Sequence, residues 1–360
     1  MAITPRTDEE GRPVVAVAMM SGGLDSTLAA AHIARMGIEV HGVRFATGFS
    51  PLSGKLPPDD KVNESGGDTE SNNPRKLKIG ADVEISFRVV DISVDFIRDV
   101  LVAPKYGFGK TMNPCIDCHM YMLRSLRPVM EEVGAHFVIT GEVLGQRPMS
   151  QHKQALRIVE EQSGLKGLLI RPLSARHLES SIPEQNGWVD RDQLLGFMGR
   201  SRKPQMALAE QYGIIDYPQP AGGCLLTDPE FSGRLKDLIH NTGKVESLTT
   251  EDINLLKVGR HFRLPSGTKV VVGRNDAENK FMMRLVLDRW AVQVIDHGSP
   301  VTLVDSTASD YDLNTAAALT ARYSQGRDAE RVRVELLREG IEKELEIEPL
   351  AESDADNWLI

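Results

Sequence analysis

The stretch Met19-Met20-Ser21-Gly22-Gly23-Leu24-Asp25-Ser26-Thr27 joins an apolar run at residues 14–18 to a strong helix-forming run at residues 28–31. A β-branched run, a glycine turn and a helix former in this order predict a strand, a tight loop and a helix. Such a loop directs several backbone N–H groups and the positive end of the helix dipole at one point, which suits a phosphate group. The lysine and the spacing of a Walker A loop are missing, so the sequence indicates a different kind of phosphate-binding loop.

Length and composition restrict the class of protein. A chain of 360 residues exceeds an average domain, so we expect two domains or more. The net charge of −9 argues against a protein that covers nucleic acid with its whole surface, but it leaves room for a local basic face. Because the sequence has no run of eighteen apolar residues and no apolar segment near Met1, we expect a cytoplasmic protein with no membrane contact and no secretory signal.

Strand-like and helix-like segments alternate through residues 13–230 and predict an α/β domain with a doubly wound parallel sheet. Residues 1–12 are polar and are predicted to be a flexible N-terminus. Residues 46–74 are rich in Gly, Pro, Ser, Asn and Asp and predict a mobile insertion, either a disordered spacer or an ordered lid. Ligands bind at the carboxyl ends of the strands in such sheets, which is where the glycine loop falls.

A smaller α+β domain is predicted at residues 245–345, and residues 346–360 are predicted to be a loose acidic tail. The predicted strands of this domain are residues 262–264, 269–273, 282–287, 290–295 and 301–304, and the predicted helices are residues 313–323 and 328–338.

Three cysteines occur in the chain, an odd number that does not indicate a disulfide framework. Cys115 and Cys118 stand at C-x-x-C spacing at a predicted helix start, where the dipole lowers a thiol pKa. Cys224 follows two glycines, which indicates close approach of the backbone to a ligand. The pattern favours a metal, a cluster or redox chemistry, and a zinc site would take His119 as its fourth ligand. Asp117 lies between the two thiols and is interpreted as a base or as a helix cap.

The glycine loop resembles that of the PP-loop ATP-pyrophosphatase superfamily, whose members cleave ATP between the α and β phosphates and adenylate a substrate oxygen. With Asn113-Pro114-Cys115-x-x-Cys118 and the late Cys224, the chain resembles the tRNA 2-thiouridylases. Residues 140–146, 150–151 and 169–173 are similar to segments of the tRNA 4-thiouridine synthetases. Residues 258–279 are similar to the RNA-binding domain at the end of NFACT proteins.

The resemblance implies an ATP-dependent tRNA-uridine sulfurtransferase that adenylates a uridine carbonyl oxygen and replaces it with sulfur, converting ATP to AMP and pyrophosphate. It implies a [4Fe-4S] cluster on Cys115, Cys118 and Cys224 that delivers the sulfur; the alternatives are a cysteine persulfide without a cluster, or zinc. The implied binding sites for ATP and Mg²⁺ are at Ser21, Gly22, Gly23, Asp25, Ser26, Thr27, Gly141 and Gln146.

A basic patch is predicted at residues 257–289, which hold eight Lys or Arg against three acids and suit contact with phosphates. The candidate RNA contacts are Arg260, Arg263, Lys269 and Arg274. The implied partners are tRNA and a sulfur donor, either sulfide or a persulfide carrier such as a cysteine desulfurase. The sequence does not decide whether the protein forms a homodimer. Two other functions stay open: a PP-loop ligase that inserts sulfur into a small molecule or forms an amide, and an RNA-binding protein without catalytic activity.

Overall fold

The computed structural model describes residues 4–50, 74–215, 217, 223–243 and 247–360. The predicted insertion at 46–74 lies mostly outside the described residues. The chain divides into two compact units, of which the first ends at Thr227 and the second runs from Asp228 to Ile360. Each unit has its own sheet and its own core.

The first unit is built on a mostly parallel sheet with the strand order β3-β4-β2-β1-β5-β6. Its strands are β1 (Val15–Met19), β2 (Glu39–Ala46), β3 (Arg75–Ile79), β4 (Val83–Asp91), β5 (Phe137–Thr140) and β6 (Leu169–Ile170). Its helices are α1 (Leu24–Ala34), α2 (Ser93–Phe96), α3 (Cys115–Arg124), α4 (Arg127–Val133), α5 (Lys153–Gln162), α6 (Ile182–Gln185) and α7 (Lys203–Gln211). Only β3 pairs antiparallel, with β4, so the predicted fold class is confirmed.

Strand β1 lies in the middle of this sheet and separates two hydrophobic cores. Ala16 and Ala18 face a core that contains α1 and α7, whereas Val17 faces a core that contains α3, α4 and α5. This alternation places helices on both faces and buries the strand, which explains its uninterrupted apolar sequence. The carboxyl end of β1 therefore opens directly into the glycine loop.

Several elements of the first unit differ from the sequence-based expectation. Strand β3 was not expected, because it is a polar edge strand whose Arg75, Lys76 and Lys78 are exposed and carry no apolar pattern. The helix expected to begin near residue 114 and to end at Gly134 is divided into α3 and α4. The segment expected as a helix at residues 96–102 is one turn of α2 followed by the π-helical turn Ile97–Leu101.

The second unit has an antiparallel sheet with the strand order β12-β11-β9-β10-β8-β7. Its strands are β7 (Arg260–Arg263), β8 (Lys269–Val272), β9 (Trp290–Val294), β10 (Thr302–Val304), β11 (Val332–Arg338) and β12 (Ile341–Ile347). Its helices are α8 (Pro229–Asn241), α9 (Thr250–Leu255), α10 (Asp276–Met283), α11 (Asp310–Arg322) and α12 (Glu352–Trp358).

Three expectations about the second unit are wrong. Residues 282–287 were expected as a strand, but α10 covers their start, with Phe281 and Met282 on its buried face. Residues 328–338 were expected as a helix, whereas residues 332–338 form β11, in which buried and more exposed residues alternate. The acidic residues 346–360 are not a loose tail, since they complete β12, which pairs with β11, and form α12.

Candidate functional site

The glycine loop takes the conformation that phosphate binding needs. Gly22 has a φ of +75°, in the left-handed region. Gly23 is the N-cap of α1 in an extended conformation, and no side chain of the described residues caps the helix there. The first turn of α1 therefore directs its N–H groups outward without a side-chain acceptor.

Hydroxyl groups hold the loop in this shape. The Oγ of Ser26 and the Oγ1 of Thr27 both donate to the carbonyl of Gly23, at 3.0 and 3.1 Å. The Ser21 and Ser26 hydroxyl oxygens are 3.1 Å apart, and the Ser21 amide donates to the Ser26 hydroxyl at 3.2 Å. The loop is thus preorganised, which lowers the conformational entropy that binding a ligand would cost.

Asp25 lies at the centre of a polar network that joins three parts of the chain. Its Oδ2 accepts from Nε2 of Gln146 at 2.7 Å and from Nη2 of Arg202 at 2.9 Å. The Oε1 of Gln146 accepts in turn from Gln205 at 2.9 Å. The sequence predicted Asp25 and Gln146 for this site, whereas nothing in the sequence indicated Arg202 or Gln205.

The residues present fit a bound Mg²⁺ ion. The Oδ1 of Asp25 is buried and has no hydrogen-bond partner among the described residues. Mg²⁺ in nucleotide sites takes one or two carboxylates together with substrate phosphates and waters. A free carboxylate oxygen beside a phosphate-binding loop is a donor of this kind.

Gly141 was predicted as a nucleotide-binding residue, and the structure gives it a packing role. A Cβ at this position would lie 2.4 Å from the backbone nitrogen of Ser26 and 2.5 Å from the backbone carbon of Asp25. Only glycine lets the end of β5 approach the loop this closely. Gly141 therefore packs directly against the backbone of the loop at Asp25 and Ser26.

The three thiols lie in the first unit, close enough to influence one another. Cys115 is the first residue of α3, Cys118 is one turn further on, and the exposed Cys224 precedes the 3₁₀ turn Leu225–Thr227. Burial raises the pKa of Cys118, and the neighbouring charges of Cys224, Cys115 and Asp117 raise it further. The pKa of Cys224 is also raised, because surrounding atoms desolvate its sulfur.

The residues do not fit a [4Fe-4S] cluster or a zinc ion. Within the described ranges, no three His, Cys, Asp or Glu side chains are grouped so that they could hold a metal. The thiol of Cys115 accepts from the Asn113 amide at 3.4 Å. His119, the expected fourth zinc ligand, donates through Nδ1 to Oε1 of Glu142 at 2.8 Å.

Asp117 is held in a structural arrangement rather than in the arrangement of a base. Its two carboxylate oxygens accept from the backbone amides of Lys105 and Tyr106, both at 3.0 Å. The side chain is buried, so it anchors the loop that precedes the thiols. Neither of the two roles expected from the sequence, a base or a cap of its own helix, describes these contacts.

A buried network beside the thiols was not recognised from the sequence. The Nδ1 of His119 donates to Oε1 of Glu142 at 2.8 Å, and Nε of Arg171 donates to Oε2 of Glu142 at 2.9 Å. Burial alone would raise the pKa of Glu142, but Arg171 and His119 lower it to about 2. The ionised carboxylate therefore fixes the orientation of the His119 ring, and His119 is the residue that follows Cys118 in the sequence. Glu142 and Arg171 lie within the segments 140–146 and 169–173, so the sequence signal was present.

The four predicted RNA contacts lie in the second unit in different environments. Arg263 and the buried Lys269 share the carboxylate of Asp237, with Nη2 and Nζ at 2.6 and 2.7 Å. Arg274 pairs with Glu278 at 2.6 Å. Arg260 lies over the ring of Tyr323, with its guanidinium carbon 4.9 Å from the ring centroid. These pairings leave Arg260 better placed than Arg263, Lys269 or Arg274 for a phosphate contact.

The fold and the loop together define a class: an α/β nucleotide-binding domain followed by a separate domain with an antiparallel sheet. Residues 14–180 match the family described as the tRNA methyl transferase HUP domain. Residues 259–359 match the family described as the NFACT protein RNA binding domain. The chain is thus similar to a HUP domain of the tRNA methyl transferase type in its first part and to an NFACT-type RNA-binding domain in its second part, which confirms the resemblances stated from the sequence.

The similar proteins are tRNA-specific 2-thiouridylases. The chain is 26% identical over 315 residues to MnmA of Streptomyces griseus, covering 84% of this chain and 77% of that protein. It is 30% identical over 171 residues to MnmA of Streptomyces coelicolor, covering 45% of this chain and only 44% of that protein. A solved 4-thiouridine synthetase–RNA complex with bound ATP has 18% identity and a TM-score of 0.33, covering 68% of this chain and 53% of that chain.

Along the described residues, no helix has the length and apolarity required to span a bilayer.

Proposed function

We propose that this protein is an ATP-dependent tRNA-uridine sulfurtransferase that adenylates a uridine carbonyl oxygen. The observation that carries the proposal is the preorganised loop at Ser21–Thr27, in which Oδ1 of Asp25 has no hydrogen-bond partner within the described part of the chain. The 2-thiouridylase relatives and the RNA-binding domain support tRNA as the substrate. A uracil carbonyl oxygen is a poor leaving group, and adenylation converts it into one that leaves as AMP.

The first step uses residues of the loop. The N–H groups at the start of α1 bind the pyrophosphate of ATP, and the hydroxyl groups of Ser21, Ser26 and Thr27 keep the loop in shape. Bound Mg²⁺ would neutralise phosphate charge in this site, with Asp25 as its protein ligand. Gln146 and Arg202 fix the orientation of the Asp25 carboxylate.

The second step uses the thiols and needs no cluster. Cys224 is exposed, and its thiolate takes the outer sulfur of a persulfide on a donor protein, whose own thiolate leaves, so that Cys224 carries a persulfide. The terminal sulfur attacks the activated carbon and AMP leaves. A thiolate of Cys115 or Cys118 then attacks the inner sulfur, which releases thiouridine and leaves a disulfide that an external dithiol reduces.

The test is a reconstituted reaction with the full chain, unmodified tRNA, ATP, Mg²⁺ and a persulfide donor. We expect AMP and thiouridine in equal amounts, measured by chromatography and by mass spectrometry of nucleosides. Formation of AMP with a small metabolite but not with tRNA would contradict the proposal and favour a ligase that acts on a small molecule.

A further inference from the structure

Three loops of the first unit lie next to one another and form one surface, the basic rim, made of residues 103–113, 145–153 and 197–205. The first two loops meet at Gly109, where an added Cβ would lie 2.4 Å from the sulfur of Met149. The second and third loops meet at Gly145, where an added Cβ would lie 3.5 Å from the backbone nitrogen of Gly199. The basic rim is therefore continuous, although its parts are far apart in the sequence.

The basic rim borders both halves of the proposed reaction. In its first loop, the Asn113 amide donates to the sulfur of Cys115 at 3.4 Å. In its second loop, Gln146 donates to Asp25 at 2.7 Å. A substrate that is adenylated at the glycine loop and receives sulfur from the thiols therefore contacts this surface.

The basic rim is positively charged in an acidic chain. Its loops contain seven Lys or Arg and no Asp or Glu, whereas the whole chain has a net charge of −9. Two of the seven have partners, because Arg202 pairs with Asp25 and Nζ of Lys105 donates to Gln162 at 2.9 Å. The other five are exposed and form no ion pair within the described part of the chain: Lys110, Arg147, Lys153, Arg200 and Lys203. Exposed cations without acidic neighbours suit the phosphates of a nucleic acid.

Two aromatic side chains are exposed in the first loop of the basic rim. Tyr106 is 36% exposed and Phe108 is 41% exposed. The backbone beside them is fixed, because the Asp117 carboxylate accepts from the amides of Lys105 and Tyr106, both at 3.0 Å. Proteins that bind single-stranded RNA combine aromatic faces, on which bases stack, with cations that bind the backbone. The first loop offers both kinds of group.

We propose that the basic rim binds the RNA around the reacting uridine, with Tyr106 and Phe108 stacked on unstacked bases and with Lys110 and Arg147 on the adjacent phosphates. A base must leave its stack before an enzyme can act on its ring, and an aromatic face replaces the stacking that it loses. A protein partner matches the basic rim less well, because protein surfaces carry charges of both signs. The inference rests on the tRNA substrate of the proposed function and not on its sulfur chemistry.

The test uses the full chain and two fluorescein-labelled probes, octauridylate and an octamer of abasic ribose phosphates, with affinities measured by anisotropy over a salt series. We expect the wild type to bind octauridylate about tenfold more tightly than the abasic octamer. The double variant Tyr106→Leu/Phe108→Leu should lose this preference and keep its affinity for the abasic octamer. The double variant Lys110→Ala/Arg147→Ala should bind both probes more weakly, and its slope of log affinity against log salt should be smaller by about 1.4.

Lys78→Ala is the matched control for the loss of charge. Lys78 is an exposed lysine of β3 that lies opposite Glu84 at the start of β4, so it is at the other end of the sheet from the glycine loop. This variant should change neither affinity nor the salt slope. Melting temperatures of all variants should equal that of the wild type, because each substituted side chain is exposed.

Equal octauridylate affinities for the wild type and both double variants would overturn the inference and leave the tRNA substrate standing. Unchanged RNA affinities together with slower sulfur transfer from a donor protein would also overturn it, since that pattern assigns the basic rim to the donor. If the wild type binds neither octamer, the same variants are compared on a tRNA transcript, where unchanged affinities overturn the inference. A wild type that binds no RNA would overturn the proposed function as well.

Discussion

The Nε2 of Gln146 donates to Oδ2 of Asp25 at 2.7 Å, across 121 positions of the chain. The bond ties the loop after β1 to the segment after β5, two strands that pair in parallel. Both strands end at the same edge of the sheet, which is where α/β folds bind ligands. The relationship gives Asp25 one fixed orientation and leaves its second oxygen for a ligand.

Gly22→Ala and Gly23→Ala should separate loop geometry from ligand approach. Gly22 has a positive φ, so its alanine variant should lose about 1 kcal/mol, or roughly 2–4 °C in Tm. At Gly23 an added Cβ lies 3.4 Å from the Ser21 hydroxyl and meets no strain, so Tm should stay unchanged. We expect Gly23→Ala nevertheless to weaken ATP binding about tenfold by calorimetry, because the added methyl group would stand in the loop where we propose that the phosphate binds. Normal ATP affinity in Gly23→Ala would argue against a phosphate at this loop.

Asp25→Asn should reduce AMP formation by about 10- to 100-fold and raise the Mg²⁺ concentration needed for half-maximal rate. The substitution keeps the shape and one acceptor oxygen but removes the charge that would bind the metal and pair with Arg202. Titration of Mg²⁺ at saturating ATP measures the effect. A lower Tm with an unaltered Mg²⁺ dependence would mean that Asp25 only positions Arg202 and Gln146.

Glu142→Gln should destabilise the first unit by about 3–5 kcal/mol, because Arg171 would keep a buried charge without its partner. The pKa of Glu142 is lowered to about 2 in the folded state, so its contribution is present above the ordinary value of 4.5 and is lost as the pH falls from there toward 2. This contribution is about 3 kcal/mol. Denaturant unfolding between pH 2 and 7 should therefore show a steeper pH dependence for the wild type than for Glu142→Gln.

Glu161→Gln is the control for this pair. Glu161 pairs with Arg157 on the surface of α5, where solvent screens the interaction. Its stability should remain close to that of the wild type at neutral pH. A loss as large as that of Glu142→Gln would contradict the assignment of the effect to burial.

Cys224→Ser should abolish thiouridine formation while AMP formation persists, because adenylation does not use the thiols. Desolvation raises the pKa of both thiols, but that of Cys118 further, and Cys224 is the more exposed residue, so alkylation by iodoacetamide should be faster at Cys224 than at Cys118. Mass spectrometry of peptides from a time course measures both rates. Stoichiometric iron and sulfide in anaerobically purified protein, lost in Cys115→Ala, would show that a cluster forms after all.

The sequence by itself determined the parts whose signals are local. An apolar run, two glycines and hydroxyl residues specify the strand, the loop and the helix start within residues 14–27, and the left-handed Gly134 caps the C-terminal end of α4 as expected. Alternating strands and helices specified the parallel sheet. The local pattern did not indicate β3 or β12. Charged side chains occupy many positions of these two strands, so the alternation of apolar and polar residues that predicts a strand is not visible in the sequence.

Only the tertiary structure decided how distant side chains are paired. Arg202 and Gln205 reach Asp25 and Gln146 through packing of α7 against α1, and Asp237 neutralises two of the basic residues that the sequence offered for RNA. The spacing of the cysteines indicated a metal, but ligation requires three side chains at one point, which chain spacing alone does not fix. Charge and motif are properties of the chain, whereas the partner of each charged group depends on which surfaces fold against each other.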